Sequence, residues 1–462
     1  MPAWSSLIAL ASVSVAAQAV QLPSIHVPEN ARGDQAVSLL ATSQATWWAR
    51  VGDRVYTSPP SSSPGLSQRV GDYYYAIGSD SALTDEMKAH RVGGEGRWHV
   101  FHLPEGPSLL QTNGAGDRRS VLSSLVQLSS GVVLKDDPFP QYEKSGDYKN
   151  PLSAAAQQLE NTAAGTITAQ EVESYLSGLT GGGSSANTRS WTNPDASRSA
   201  EDFLQKQFQD LGLTSCLHVF HQGGKELVNV VALLPGKSLD SVTVGAHYDS
   251  RPFDGAAPGA EDNGSGVAAL LAIAKAFSES GVKPVRNVYF VAFAAEEPGL
   301  WGSDAFASEL AGGEGGIPAQ CRISPSFLQQ ARVARNTSHE AIIMDEVGWR
   351  SPKYSTPTVN LESFDWSREV MEHLADASQT HNGQALAIVH NNAPFGSDHM
   401  SFLNRGMKAV LTINADDEGY PNYHKSSDTI SNVTPEYAAQ IAKMVFGGAL
   451  RIAGAQPGAQ TA

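Results

Sequence analysis

Three places in the chain set His or carboxylate residues directly after an apolar, β-branched run, and a fourth sets them in the loops on either side of one. His247 and Asp249 follow residues 242–246; Glu296 and Glu297 follow 288–295; Asp345 and Glu346 follow 341–344; Asp398, His399 and His424 lie in the loops flanking 409–413. A Gly/Pro/Ala loop after Asp249 then delivers Glu261 and Asp262 to the mouth of a long apolar helix. Such residues at the carboxyl ends of strands in an open α/β sheet are where ligands gather. Histidine and carboxylate without cysteine suit zinc or a similar divalent ion. Two histidines and three carboxylates exceed what one tetrahedral zinc uses. They fit a two-metal site with ions ~3.5–4 Å apart, in which the metals polarise a carbonyl and acidify a shared water.

The elements that must hold these residues alternate. Strands are expected at 228–234, 242–246, 287–294, 341–344, 385–389 and 409–413, with a buried helix at 267–277 and an amphipathic helix at 199–212. Near-continuous apolar strands between helices predict an α/β fold: a mixed, largely parallel central sheet with helices on both faces. Thr168 and Glu171 form the pattern of a capping box. A smaller β-rich region of short aromatic runs separated by Ser/Pro/Gly turns precedes this. The expected division is a signal peptide at 1–19, a β-rich propeptide or N-terminal domain at 20–150, the catalytic domain at 151–455 and a flexible tail at 456–462.

Five blocks in order carry a resemblance: G-A-H-Y-D-S at 245–250, P-G-A-E-D-N-G-S-G at 258–266, F-V-A-F-A-A-E-E-P-G-L at 290–300, I-I-M-D at 342–345 and Y-H-K-S-S-D-T at 423–429. From about residue 165 to 452 the chain resembles the co-catalytic di-zinc aminopeptidases of metallopeptidase clan MH. These are the bacterial and fungal leucyl aminopeptidase type, related to glutamate carboxypeptidases. The resemblance implies the zinc-exopeptidase fold, two Zn2+ ions, and peptide or protein substrates with a free N-terminus, cleaved after an apolar, Leu-like residue. It implies Asp262 as the carboxylate shared by both ions. His247 and Asp345 would complete one ion's ligands; Glu297 and His424 would complete the other's. Glu296 would be the general base, moving a proton from the attacking water to the departing amine. Asp249 would orient the His247 ring through its far nitrogen, and Tyr423 would hydrogen-bond the tetrahedral intermediate.

Each assignment has a rival. Glu261 and Asp254 compete with Asp262. Glu296 and Glu297 could be solvated first-turn acids of a following helix. Glu346 departs from the residue expected beside Asp345 and leaves side-chain preference open; Phe395, Tyr420 and Trp349 are pocket candidates. Ser397, Asp398 and His399 superficially suggest a serine hydrolase, yet three adjacent residues cannot form a relay. Asp398 is read instead as a helix cap or as support for a ligand. A glutamate-type carboxypeptidase or dipeptidase would need cations at the pocket, for which Arg251 and Lys425 are the nearby ones. A non-catalytic binding module would show lost ligand positions, and none is lost.

A net charge of −15 argues against nucleic acid. No run approaches the ~20 apolar residues that span a bilayer, so no membrane association is expected. The apolar start ending in Ala17-Gln18-Ala19 predicts secretion. In that setting Cys216 and Cys321 could form a disulfide, and Asn336 and Asn432 become glycosylation acceptors, whereas Asn263 should stay unmodified beside a buried site. A monomer is expected.

Overall fold

The computed structural model describes residues 153–181, 187–311, 317–321, 338–391, 394 and 396–454, with short stretches between 23 and 134. The predicted signal peptide, the tail at 456–462, Asn336 and Phe395 lie outside the described residues.

The N-terminal part holds strands β1 (Ser24–His26), β2 (Trp48–Val51), β3 (Arg54–Thr57), β4 (Tyr73–Ile77), β5 (Arg91–Gly93), β6 (Trp98–His102), β7 (Val126–Gln127) and β8 (Val133–Leu134). They form two sheets, ordered β1-β3-β2-β8 and β5-β6-β4-β7. One short helix, α1 (Asp85–His90), lies within this β-rich region. Tyr56, Tyr73, Tyr74, Tyr75 and Phe101 of this region are buried. Tyr56, Tyr73 and Tyr75 are buried in one hydrophobic cluster with Phe306, Phe402 and Leu411 of the larger domain. Tyr75 and Asn404 tie the two parts with a buried side-chain hydrogen bond.

Helices α2 (Ala154–Ala164), α3 (Ala169–Leu179) and α4 (Pro194–Asp210) lead into the main sheet. Thr168 caps α3 as expected, its hydroxyl accepting the Glu171 N–H. Helix α4 starts before the predicted 199, because Asn193 accepts the Ala196 N–H and Pro194 supplies a helical φ at the first turn.

The main sheet comprises β9 (Thr214–Gln222), β10 (Lys225–Leu234), β11 (Ser241–His247), β12 (Asn287–Phe293), β13 (His339–Asp345), β14 (Thr358–Glu362), β15 (Ala387–Asn391) and β16 (Lys408–Asn414). Its order is β15-β14-β16-β13-β11-β12-β10-β9. The centre is parallel: β11 pairs with β12 and β13, and β13 with β16. Strands β9, β10 and β14 add antiparallel pairs. Every residue of β11 and β12 is buried, as expected for strands covered on both faces.

Helices α5 (Gly266–Glu279), α6 (Trp301–Leu310), α7 (Arg368–His381), α8 (His399–Leu403) and α9 (Pro435–Ile452) complete the layers. Helix α5 is buried nearly all round, with Leu270, Leu271 and Ile273 fully enclosed. Each such side chain contributes ~1.5–3 kcal/mol. A stem packed this firmly fixes the loop that enters it at Asp262. No described helix is long and apolar enough to cross a membrane. Cys216 on β9 and Cys321 are disulfide-bonded across a separation of 105 residues.

Candidate active site

The parallel register puts the carboxyl ends of β11, β12 and β13 side by side, with His247 opposite Phe293 and Gly245 opposite Ile343. The residues that follow those ends therefore converge. His247 Nε2 lies 3.3 Å from Asp345 Oδ1 and 3.4 Å from Asp262 Oδ1. On the other side, His424 Nε2 lies 3.2 Å from Asp262 Oδ2 and 3.0 Å from Glu297 Oε2. Within each group, His247–Asp262–Asp345 and Asp262–Glu297–His424, one potential ligand atom per residue lies within 4.8 Å of the others. Asp262 belongs to both, one oxygen turned to each histidine.

The site sits on bent backbone. The run Ala260–Ser265 is a kinked helical turn in which Asp262 takes φ −105° and ψ 95°. Ala295, Leu300, Glu346 and His424 all hold positive φ, a conformation that non-glycine residues adopt where surrounding structure dictates it.

Asp249 lies beside His247 and also reaches a second turn. Its Oδ1 stands 3.5 Å from His247 Nδ1, and its backbone carbonyl is nearer, at 3.2 Å. The same carboxylate accepts the N–H groups of Glu296 at 3.0 Å and Glu297 at 3.3 Å. The side chain thus holds the turn bearing a member of one group, while the Asp249 carbonyl is the nearer partner of the histidine of the other.

Glu261 is excluded as the shared carboxylate. Its oxygens turn away and accept the Gly348 N–H at 2.9 and 3.2 Å. Asp254 is exposed and belongs to neither group. Nor does Glu346, whose N–H goes to Asn263 Oδ1. Tyr420 is buried with its hydroxyl donating to Asp428, and its ring packs 5.3 Å from that of half-buried Trp349. Tyr423 stacks on His424 with ring centroids 3.6 Å apart. Lys425 is exposed and donates to Pro421 O, while Arg251 sits 3.9 Å from Glu297 and over the Phe253 ring. Asn263 is fully buried, bonded to Met344 O and Gly266 N, and Asn432 donates to Ser427 O.

The Ser397-Asp398-His399 block forms no relay. Ser397 donates to Asp345 Oδ2 at 2.8 Å. Asp398 stands at the N-cap of α8 but makes no capping bond, so the cap reading is corrected. Burial pushes its carboxyl up to about 7, against the pull of His247. Burial also drives His399 down to about 3, an imidazole kept neutral.

Supporting residues escaped the sequence reading. Arg189 is fully buried and donates to the carbonyls of Tyr248, Pro258 and Gly259, pinning the loop before Asp262. Asp428 accepts the N–H groups of Glu261 and Asp262. Arg189 carries no spacing signal, and Asp428, though inside the 423–429 block, shows nothing there of the distant backbone groups it holds.

The charge balance suits cations. Burial works against a charged His247 ring, yet Asp345 and Glu296 lead the carboxylates that hold its pKa well above the usual value. Burial likewise opposes His424, and Glu297 and Asp262 raise it. Asp262 is held low despite burial by the two histidines. Burial, with Glu297 and Asp345 beside it and His247 opposing, raises Glu296 well above the carboxylate range. Buried oxygens of Asp262 (Oδ2) and Glu297 (Oε1) lack a hydrogen bond. Oxygen and imidazole donors in two groups sharing one carboxylate fit a pair of divalent ions.

Comparison with known proteins locates the same region. Residues 229–448 match the model described as Peptidase family M28. "Aminopeptidase YwaD" of Bacillus subtilis is 30% identical over 223 residues, covering 47% of this chain and 43% of that protein. "Leucine aminopeptidase 1" of Neurospora crassa is 25% identical over 300 residues, covering 61% of this chain and 68% of that protein. The chain spans about half the length of the first curated relatives it matches, 43% and 51%. Among solved structures, the Legionella pneumophila LapA aminopeptidase superposes with a TM-score of 0.60 at 18% identity, over 83% of this chain and 98% of that one. LapB from Legionella pneumophila gives 0.59 at 21% identity, over 83% and 99%. These two establish the fold.

Proposed function

From the premise that the chain, through residues 229–448, belongs to peptidase family M28, we propose that it is a secreted zinc aminopeptidase with a two-ion site, removing apolar N-terminal residues from peptides. The observation that carries the reading is Asp262, whose Oδ1 faces His247 and Oδ2 faces His424. His247, Asp262 and Asp345 would hold one zinc; Asp262, Glu297 and His424 would hold the other. Zinc, when bound, supplies Lewis acidity toward the scissile carbonyl and acidifies the attacking water.

The chain's own residues do the rest. Glu296 is assigned as the proton carrier because it adjoins Glu297 in the turn beside the two groups, and burial first, then Glu297 and Asp345 against the pull of His247, raises its affinity for a proton. A base so tuned can take the proton of the attacking water and return it to the leaving amine. Asp249 fixes where that carboxylate stands by holding the Glu296 N–H. Tyr423, stacked on His424, is the candidate hydrogen-bond donor to the developing oxyanion. The aminopeptidase names of the relatives support the substrate class. The Cys216–Cys321 disulfide supports an oxidising compartment, consistent with residues 1–19 as a leader.

Hydrolysis of leucine-, lysine- and glutamate-linked amides, with and without a chelator, tests the reading. Leucine-amide cleavage that stops on chelation and returns with zinc supports it. Undiminished cleavage after chelation overturns it.

A further inference from the structure

We propose that Asn229 is a positioning residue for the Glu296–Glu297 turn, and that a line running from half-buried Glu309 through buried His218 to Asn229 sets the direction of its amide. The proposal rests on the peptidase reading of that turn. Asn229 lies on β10 directly opposite His218 on β9, and both are fully buried. Its Oδ1 accepts the Ala294 N–H at 2.8 Å, and its Nδ2 donates to the Gly302 carbonyl at 2.8 Å. Ala294 is where β12 gives way to the turn, and Gly302 lies in the first turn of α6. The amide therefore clasps both stems of the loop that carries the base and a ligand candidate.

The clasp runs beside a backbone bond, Gly302 N–H to Ala294 O, at 3.0 Å. It occupies the space a side chain would need: a Cβ on Gly302 would fall 2.3 Å from both Asn229 Oδ1 and Ala294 O. Between the stems the backbone holds positive φ at Ala295 and Leu300. Conformations of that kind persist only where several contacts fix them. Asp249 grips the turn at the Glu296 and Glu297 N–H groups, and Asn229 grips it at the base.

The amide's orientation is determined by what lies behind it. The second Nδ2 hydrogen points to His218 Nδ1, 3.0 Å away. With that nitrogen accepting, the ring proton is on Nε2, which faces Glu309 Oε1 at 3.0 Å. The other Glu309 oxygen accepts the Ile317 N–H at 2.5 Å. A carboxylate can only accept, so each bond in the line has one direction, and a flipped Asn229 amide would set like groups against each other at Ala294, Gly302 and His218. Rings of Phe220 and Phe306, 6.0 Å from His218, close the surroundings with apolar surface. In such surroundings a fully satisfied network rigidifies what it touches.

The test uses the full chain with Asn229→Leu, Glu309→Ala and Glu309→Gln. Zinc affinity is read by competition with a chromophoric chelator, and kcat and KM are read on a leucine amide at saturating zinc. Partners that orient metal ligands typically change affinity or activity by ~10–100-fold. Asn229→Leu is expected to lower zinc affinity and kcat by roughly that range, with KM within about twofold. Glu309→Ala reproduces the loss in smaller measure. Glu309→Gln, whose one amide oxygen still accepts from His218 Nε2 while its NH2 meets the Ile317 N–H, should lose clearly less than Glu309→Ala. In a Glu296→Gln background Asn229→Leu should add little further loss of kcat. Should Asn229→Leu fail to fold, the two Glu309 variants decide. Unchanged zinc affinity and kcat in the folded Asn229→Leu or Glu309→Ala protein, or Glu309→Gln as damaging as Glu309→Ala, would overturn the proposal. A wild-type chain that binds zinc and cleaves nothing refutes the peptidase reading alone, because the zinc competition still reports on the turn.

Discussion

The Ser397 hydroxyl donates to Asp345 Oδ2 at 2.8 Å, while Asp345 Oδ1 faces His247. The serine is thereby an orienting partner of a ligand candidate and not a nucleophile. Ser397→Ala should weaken zinc binding by ~10-fold or more, in line with other partners of metal ligands. Turnover at saturating zinc should largely survive, and serine-directed acylating reagents should not inhibit the wild type. Complete loss of turnover with zinc still bound would reinstate a nucleophilic serine.

Glu296 and Glu297 are adjacent, yet their substitutions should separate. Glu296→Gln is expected to keep both metals, measured by elemental analysis, and to lower kcat by ~10²–10⁴, the usual contribution of a positioned base. Glu297→Gln should instead lose metal at the His424 side. Equal metal loss in both variants would show that Glu296 is a ligand.

A second ion cluster, far from the chemistry, sets an acid limit on stability. Glu160 is buried and bonded to His381 at 2.8 Å and Arg451 at 2.9 Å, joining α2 to α7 and α9. Burial raises its pKa, but the His381 and Arg451 bonds outweigh this and leave it below the usual value. A carboxylate depressed in the folded state stabilises above its unfolded pKa of ~4.3, and that contribution fades as pH falls through the lower folded value. Glu160→Gln should destabilise the chain near neutral pH by ~3–5 kcal/mol, as breaking a buried pair does. Denaturation midpoints of the two proteins should converge as pH drops below ~4. A gap that widens toward acid would refute this assignment.

Cys216 and Cys321 join β9 to the segment after α6 across 105 residues. Chain-entropy reasoning for a loop of about that length gives ~4–5 kcal/mol. The Cys216→Ser/Cys321→Ser double variant should fall in stability by roughly that amount, read from urea midpoints. A change under ~1 kcal/mol would place the stabilisation elsewhere.

The central parallel strands and α5 were legible in the sequence because their apolar runs are nearly unbroken. The convergence of His247, Glu297 and Asp345 followed from their place at strand ends. Strands β9 and β14 were missed: their burial alternates with exposed or half-exposed positions, which leaves no continuous run to recognise. Helix α4 begins ahead of its apolar spacing because Asn193 and Pro194 cap it without any apolar signal of their own. The roles of Arg189, Asn229 and, within the 423–429 block, Asp428 were illegible for another reason. Each acts by bonding backbone groups dozens of residues away, and such a bond leaves no periodic or local trace. Tyr73 and Tyr75 fall in one of the short aromatic runs, but nothing in that run marks a core shared with Phe402 and Leu411.

Zinc titration of the chelator-treated chain, followed by leucine-amide hydrolysis at each step, tests the shared role of Asp262 most directly. Two zinc equivalents should bind the wild type, with full activity reached only at the second, and Asp262→Ala should bind neither tightly. Full activity at one equivalent, or an Asp262→Ala chain that keeps both ions, would contradict the account.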